Sequence, residues 1–350
     1  MKATIKDVAE LAGVSFKTVS RVINKEGSVK PETLKKVNDA IAQLNYQPNT
    51  AARNLAGTTS FALGFVYDNP NAYYVIDMQN GILDECRDKG YELIIHPCSA
   101  TSQNIIAEIT DMVKRSQLAG LIISPPISEM PEVLSALDQL NIHYVRIISG
   151  SDESKEHSPC VFIHDKEAAA NIIEHLISQG HQRIAFISGD KDHRSSDERK
   201  QGYLDALARH GIEFNPAYLY DGSYSFETGV EGAKYLLGLD EPPTAIFSCN
   251  DEIAAGALFA ARLQGVDVPC DMAIAGFEDS PFSRQTWPKL TTAAQPTNEI
   301  ARKAASGLIQ HLIGLRSGRN KTAAIPHQHF QPTLLVREST LKEACPEPEL

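Results

Sequence analysis

The 350-residue chain reads as two architectures in series: a small all-α helix-turn-helix domain, then a two-lobed α/β core built on parallel sheets. Three observations predict this. The first sixty residues hold three short amphipathic helical patterns, two of them joined by a turn containing Gly13. From residue 61 the pattern changes to apolar strands alternating with amphipathic helices, the signature of parallel sheets with helices on their faces. That alternation repeats after residue 160, which implies two similar lobes of ordinary domain size.

Bulk properties agree with a folded, soluble protein: 42% of residues are hydrophobic and 22% charged. No apolar run reaches the roughly 18 residues of a membrane span. The start, MKATIKDVAELAG, is charged where a secretory signal needs an apolar stretch, so a cytoplasmic protein is expected. The six cysteines, at 86, 98, 160, 249, 270 and 345, form no CxxC pair and match no zinc or disulfide framework. Reduced thiols are therefore expected. His327 and His329 alternate as on one strand face but have no third ligand nearby, so no metal is expected there.

Net charge is −11, yet its distribution is uneven. Residues 1–60 carry nine Lys/Arg against five Asp/Glu, a balance of +4; the remainder carries 24 against 39, a balance of −15. A small basic module on a large acidic body suits one end that meets phosphates, while the body limits non-specific adhesion to nucleic acid.

In that basic module, Thr4 caps a first helix, with Asp7 three residues on. Ile5, Val8, Ala9 and Ala12 recur at helical spacing. After Gly13 and Val14, Ser15 caps a second helix whose apolar face is Val19, Val22 and Ile23. A third helix starts at Pro31 and carries Leu34, Val37, Ala40, Ile41 and Leu44. The predicted core is Val8, Leu11, Val19, Val22, Leu34, Val37 and Ile41. The second helix is the one to enter a major groove. Lys17 and Arg21 are placed to donate to guanine, Phe16 to cover a thymine methyl, and Thr18 and Ser20 to hold phosphates.

The motifs Asp7-Val8-Ala9, Ala12-Gly13-Val14-Ser15, Thr18-Val19-Ser20-Arg21-Val22 and Asn24 together resemble the N-terminal signature of the LacI/GalR family of bacterial regulators. The resemblance continues through Asn45-Tyr46-Gln47-Pro48-Asn49 and Ala51-Ala52-Arg53-Asn54-Leu55-Ala56. It implies DNA contacts from Thr4, Ser15, Phe16, Lys17, Thr18, Ser20, Arg21, Asn24, Tyr46 and Asn49. It also implies a hinge helix that orders in the minor groove, with Leu55 as the wedge and Ala52 packed beside it. The residues themselves agree: Pro48 breaks the preceding helix, and 49–56 is too short to be stable alone. Domains are expected at 1–47 (helix-turn-helix) and 48–60 (hinge and linker).

In the body, strands are expected near 61–67, 92–96, 120–124 and 143–148, with helices near 74–89, 102–116 and 131–140. A second series has strands near 161–163, 183–188, 217–221, 244–248 and 272–275, with helices near 165–179, 195–210, 226–238 and 250–263. Ligands of such sheets bind beyond the carboxyl ends of strands, so two facing lobes make an interlobe cleft. The body resembles the same family's core, which is periplasmic-binding-protein-like. The matching segments include Gly180-His181-Gln182-Arg183-Ile184-Ala185, Asn250-Asp251, Gly276-Phe277-Glu278-Asp279 and Gln295-Pro296. The resemblance implies a first lobe of 61–160 plus about 292–320, a second lobe of 161–291 plus about 321–340, and a tail at 341–350. It implies a ligand site formed by Tyr73 or Tyr74, Arg199, Tyr224, Asn250, Glu278 and Gln295. The stretch 190–196, Ser195 included, is unusually polar and is expected to reach the ligand as well. These groups suit a polyol: fixed donors and acceptors, a carboxylate for hydroxyls, and an aromatic face for sugar C–H groups. Val145-Arg146-Ile147 stands where many members carry an acid, and Glu278 is a methylene longer than the usual Asp.

No P-loop, no GxGxxG after a strand and no GxSxG elbow occurs, so neither an enzyme nor a cofactor is expected. A sugar-responsive repressor released from a near-palindromic operator, acting as a homodimer, is the leading expectation. A purine-responsive co-repressor type is the alternative. A sugar-binding transport component would not need residues 1–60. The tail has two prolines and no leucine heptad, so no tetramer-forming coiled coil is expected.

Overall fold

A computed structural model describes residues 3–23, 29–46, 60–69, 71–150, 158–317 and 325–341. The three N-terminal helices are α1 (Ile5–Ala12), α2 (Phe16–Ile23) and α3 (Pro31–Gln43). Thr4 closes a capping box on α1: the Asp7 carboxylate accepts from Thr4 N at 2.7 Å, and Thr4 Oγ1 accepts from Asp7 N at 3.4 Å. Gly13 ends α1 at φ +63°, a backbone that any side chain would strain. Ser15 Oγ then accepts from Thr18 N at 3.2 Å and starts α2.

The core of this module is Val8, Val19, Val22 and Val37 with Ala9, Ala12 and Ala40. Leu11 and Leu34, expected inside it, are 45% and 43% exposed. Alanines occupy the contact positions, so α1 lies close on α3 and the larger leucines fall at the rim. Three helices this short do not enclose seven large side chains.

The first sheet of the core comprises β1 (Ala62–Tyr67), β2 (Glu92–Pro97), β3 (Gly120–Ile123), β4 (His143–Ser149) and β5 (Cys160–Ile163), in the parallel order β2-β1-β3-β4-β5. Helices α4 (Ala72–Lys89), α5 (Ile105–Ser116) and α6 (Pro131–Gln139) connect them. The second sheet has β6 (Ile184–Ile187), β7 (Leu219–Tyr220), β8 (Ala245–Ser248) and β9 (Ala273–Ala275), in the parallel order β7-β6-β8-β9. Its helices are α7 (Asp165–Ser178), α8 (Arg194–Arg209), α9 (Phe226–Leu237), α10 (Asp251–Leu263) and α11 (Pro281–Gln285). Central strands such as β3 and β8 are buried at every position, which is why they read as unbroken apolar runs.

The lobe boundaries differ from the expected ones. The strand at 160–163 does not open the second lobe; β5 pairs with β4 from Arg146–Cys160 to Ser149–Ile163. The chain crosses only after it, into α7. β10 (Thr292–Ala294) stays with the second lobe through bridges Ala275–Thr291 and Glu278–Ala294, so the next crossing falls at Gln295-Pro296. Residues 321–340 do not belong wholly to the second lobe either. β11 (Gln328–Phe330) joins β5 in the first sheet, and β12 (Thr333–Leu335) pairs antiparallel with β10. Backbone groups left open on a sheet edge decide where a three-residue strand docks, and so short a run carries no pattern to announce it.

The long α12 (Thr297–Ser317) follows the crossing at Gln295 and packs on α4, burying Ala304, Ala305, Leu308 and Ile309 in the first lobe. At its far end Arg316 Nη2 donates to Ser60 O at 2.5 Å, and the guanidinium lies 4.3 Å from the Phe61 ring centre. Cys86, Cys98, Cys160 and Cys249 are free thiols. Cys270 is disulfide-bonded, which corrects the expectation of reduced thiols at that position. Sequence spacing shows no such pairing, because a disulfide needs proximity in space. Among the described residues no helix is long and apolar enough to cross a membrane.

Candidate DNA face and interlobe ligand site

Helix α2 buries Val19 and Val22 and turns Phe16, Lys17 and Arg21 outward. Lys17 and Arg21 are four residues apart and so share a face. Phe16 is 51% exposed on the same outward surface. Ser15 is exposed, while Thr18 and Ser20 are half-buried. Ser15 and Thr18 also bond to each other, Oγ to Oγ1, at 2.9 Å, so this hydroxyl pair serves the cap as well as any phosphate. Thr4 is engaged in its own cap, and Tyr46 packs half-buried against the helical core. Asn24, Asn49, Ala52 and Leu55 lie outside the described residues.

Between the lobes, a cavity is lined from the first lobe by Asn69, Asn71, Tyr74, Pro125, Ser149 and Ile163. Asp165, at the crossing, joins them. The second lobe supplies His193, Ser195, Arg199, Tyr224 and Glu278, and Gln295 stands at the second crossing. Arg199 organises it. Its Nε and Nη2 both lie 2.8 Å from Asp165 Oδ1, and its Nη1 donates to Cys249 O at 2.7 Å. The guanidinium sits 3.8 Å from the Phe277 ring centre. Asp165 Oδ2 accepts in turn from Ser149 Oγ at 2.5 Å. Across the cleft, Asn71 Nδ2 donates to Glu278 Oε2 at 2.7 Å.

Burial opposes the charge of Arg199, but Asp165 and its other neighbours hold its pKa above the usual arginine value. Burial dominates at Glu278: it pushes the carboxyl up to about 8, against the pull of Arg199 and with Asp251 and Asp165 adding to the rise. Arg199 and Glu278 are 3.9 Å apart, whereas Arg199 and Asp165 are at 2.8 Å. Asp165 is therefore the closer charge partner of the guanidinium, and burial favours the protonated form of Glu278. Tyr224 is raised well above an ordinary phenol by burial; its OH lies 3.0 Å from Ser195 Oγ and 2.9 Å from Ser196 Oγ. Its ring fits because residue 189 is glycine: a Cβ there would stand 2.5 Å from the ring.

Tyr74, Ser195, Arg199, Tyr224, Glu278 and Gln295 thus come together as the sequence predicts. Two expected residues do not reach this surface. Asn250 is fully buried as the N-cap of α10, its Oδ1 accepting from Ile253 N at 2.9 Å. Tyr73 points away and meets Phe282 edge-on at 5.8 Å. The sequence reading missed Asn71, Ser149 and Asp165. All three stand at or just beyond the carboxyl ends of strands β1, β4 and β5, and that rule alone singles them out. The space left among these side chains is about 40 Å³. That holds a few waters and is far less than a sugar ring displaces.

A helix-turn-helix module ahead of a two-lobed core with a polar interlobe cavity defines a ligand-responsive, DNA-binding transcription regulator. Residues 4–49 match the model of bacterial regulatory proteins, lacI family, and residues 173–340 match that of a periplasmic binding protein-like domain. The HTH-type transcriptional repressor PurR of Actinobacillus pleuropneumoniae serotype 3 (strain JL03) is 34% identical over 340 residues, covering 96% of this chain and 98% of that protein. The structure of a transcriptional regulator CelR–cellobiose complex matches with a TM-score of 0.72 at 27% identity, over 96% of this chain and 99% of its own. That of the lac repressor dimer bound to operator and the anti-inducer ONPF gives 0.74 at 26% identity, over 97% and 100%. The chain belongs to the lacI family of bacterial regulatory proteins.

Proposed function

We propose that this regulator represses carbohydrate-utilisation genes and is released from its operator by a neutral sugar. The observation that carries this is the lining of the cavity: Arg199 is paired with Asp165 at 2.8 Å, and Ser195, Tyr224, Asn71, Glu278 and Gln295 add hydrogen-bonding groups around that pair. A polyol matches that better than an anion or a cation does. The cellobiose complex of the related CelR supports the same class. A purine reading needs a ring sandwiched between aromatics; Tyr73 is turned out of the cavity, which removes one face of that slot. The carboxylates are engaged by Arg199, Ser149 and Asn71, which supports a binding role rather than acid–base catalysis.

The protein works as a homodimer on a near-palindromic operator, in the cytoplasm where that DNA lies. Exposed apolar side chains on both lobes support the pairing: Ile76 and Ile95 on the first, Phe259 and Leu263 on the second. The lac repressor was solved as such a dimer on its operator. Segment 49–56, with Leu55 as wedge, acts as the hinge between DNA and core. The test is a calorimetric titration of sugars and nucleobases into the full chain, with and without operator. Ligand that binds less tightly in the presence of operator is an inducer by linkage. Equal affinity denies coupling, and tighter binding means co-repression.

A further inference from the structure

Glu278 enters the interlobe cavity from an unusual backbone. Glu278 and Asp279 follow one another at φ +103° and +58°. Residues other than glycine rarely take positive φ, and such a pair persists only where its neighbours hold it. We propose that Arg337, near the end of the core, is the positioning residue that holds this pair and so keeps the Glu278 carboxyl in the cavity. This deepens the ligand-site reading above: it adds a residue that lines no part of the cavity and acts through Asp279.

Arg337 Nη2 donates to Asp279 Oδ1 at 2.6 Å, and its Nη1 donates to Leu290 O at 2.9 Å. One planar guanidinium thus spans the turn at 278–279 and the segment that leads into β10. The backbone of Arg337 is itself anchored. Its N–H donates to Thr291 Oγ1 at 2.9 Å. Two residues on, Ser339 Oγ donates to Ile274 O in β9 at 2.6 Å and accepts from Thr291 N at 2.8 Å. Thr291 and Ser339 are fully buried, so these bonds are shielded from water.

Asp279 has other partners. Ser283 Oγ donates to its Oδ1 at 2.8 Å, and Arg284 Nη1 to its Oδ2 at 2.9 Å. The Arg284 side chain is 51% exposed and that of Arg337 only 16%. Water screens the first pair more than the second, so Arg337 is the stronger hold. Its grip reaches Glu278 across one peptide bond. The main chain of Glu278 is fixed as well: its N–H donates to Ala293 O at 2.8 Å, and its O accepts from Gln295 N at 3.3 Å. Those bonds settle where the residue lies. The left-handed φ settles which way its Cβ points, here toward Arg199 at 3.9 Å and Asn71 at 2.7 Å.

The experiment is the melting temperature of the full chain, without ligand, from pH 6 to pH 9. The variants are Arg337→Met, Glu278→Gln and the two combined. Burial raises Glu278 to about 8; Asp251, Asp165 and Glu252 face it and add to the rise, and Arg199 opposes it. With Arg337 removed, the carboxyl gains access to water and returns toward its ordinary value. Arg337→Met should therefore flatten the fall of melting temperature with pH as much as Glu278→Gln does, and add no flattening to Glu278→Gln. Arg337→Lys keeps a charge beside Asp279 but loses the fork, and should restore part of the slope. Should Arg337→Met fail to melt cooperatively, the Lys variant decides: a slope between those of wild type and Glu278→Gln is expected. A lower melting temperature with the wild-type slope, in either variant, makes Arg337 a structural strap and overturns the proposal. Flattening that persists in the Glu278→Gln background places the effect on Asp251, which accepts from Ser280 N at 2.7 Å, and overturns it too. No ligand enters this measurement, so it stands or falls apart from the sugar reading.

Discussion

Asn71 Nδ2 lies 2.7 Å from Glu278 Oε2, and this bond ties the first lobe to the second across the ligand cavity. The same Asn71 caps α4, its Oδ1 accepting from Tyr73 N and Tyr74 N at 3.0 and 3.2 Å. One side chain thus fixes the start of a first-lobe helix and reads the opposite lobe. Glu278 answers from a strained backbone, φ +103°, held by its N–H to Ala293 O at 2.8 Å. A ligand that bridges the lobes has to share or replace this bond.

The latch titrates. Burial raises Glu278 to about 8, above its unfolded value near 4.5. The folded chain therefore binds more protons than the unfolded chain between those values, and stability falls as pH rises through that window. Asp251 and Glu129, both raised to about 7 by burial, act in the same direction. Melting temperature should drop from pH 6 to pH 9, and Glu278→Gln should flatten part of that slope. A slope identical in the variant would assign the titration elsewhere.

Arg199→Ala should abolish the response of operator binding to ligand. It should also destabilise the core by about 3–5 kcal/mol, because Asp165 stays buried without its partner. Adding Asp165→Asn should recover part of that loss. Chemical denaturation of the two single variants and the double variant measures the coupling; strictly additive losses would deny it.

On the DNA face, Lys17→Ala and Arg21→Ala should each weaken operator binding by about 1–3 kcal/mol while ligand affinity stays unchanged. Electrophoretic shift assays at fixed salt test this. Wild-type affinity in Arg21→Ala would remove α2 from the groove.

Phe259 and Leu263 are one turn apart on α10, 47% and 65% exposed. Phe259→Glu should shift the dimer toward monomer in sedimentation and lower operator affinity, since two half-sites then no longer act together. A dimer of unchanged strength would place the interface on another face.

Most of the core was legible in the sequence because parallel strands buried on both sides are unbroken apolar runs between helical stripes. α10 and β4 fall within a residue or two of their expected bounds. The crossings were not legible: β10, β11 and β12 have three residues each, and their partners lie far along the chain. Asn250 shows another limit. An asparagine after a strand can be a ligand contact or a helix cap; Asn250 Oδ1 is taken by Ile253 N, while its Nδ2 is buried without a hydrogen-bond partner. Tyr73 and Tyr74 differ by one step of helical phase, about 100° around α4. Only the start of that helix at Asn71 decides which ring faces the cavity.

The long α12 has a mechanical meaning. It leaves the ligand cavity at Gln295 and ends where Arg316 grips Ser60, the first described residue of the core, at 2.5 Å. At 1.5 Å per residue such a helix is a stiff lever about 30 Å long. A tilt of roughly 5° about its middle moves each end by about 1 Å, in opposite directions. The fulcrum is the packing of α12 on α4, the helix that Asn71 starts. The ligand end and the DNA-ward end of the first lobe are thus two ends of one rigid body, and the leverage needs no chain of intermediaries between them.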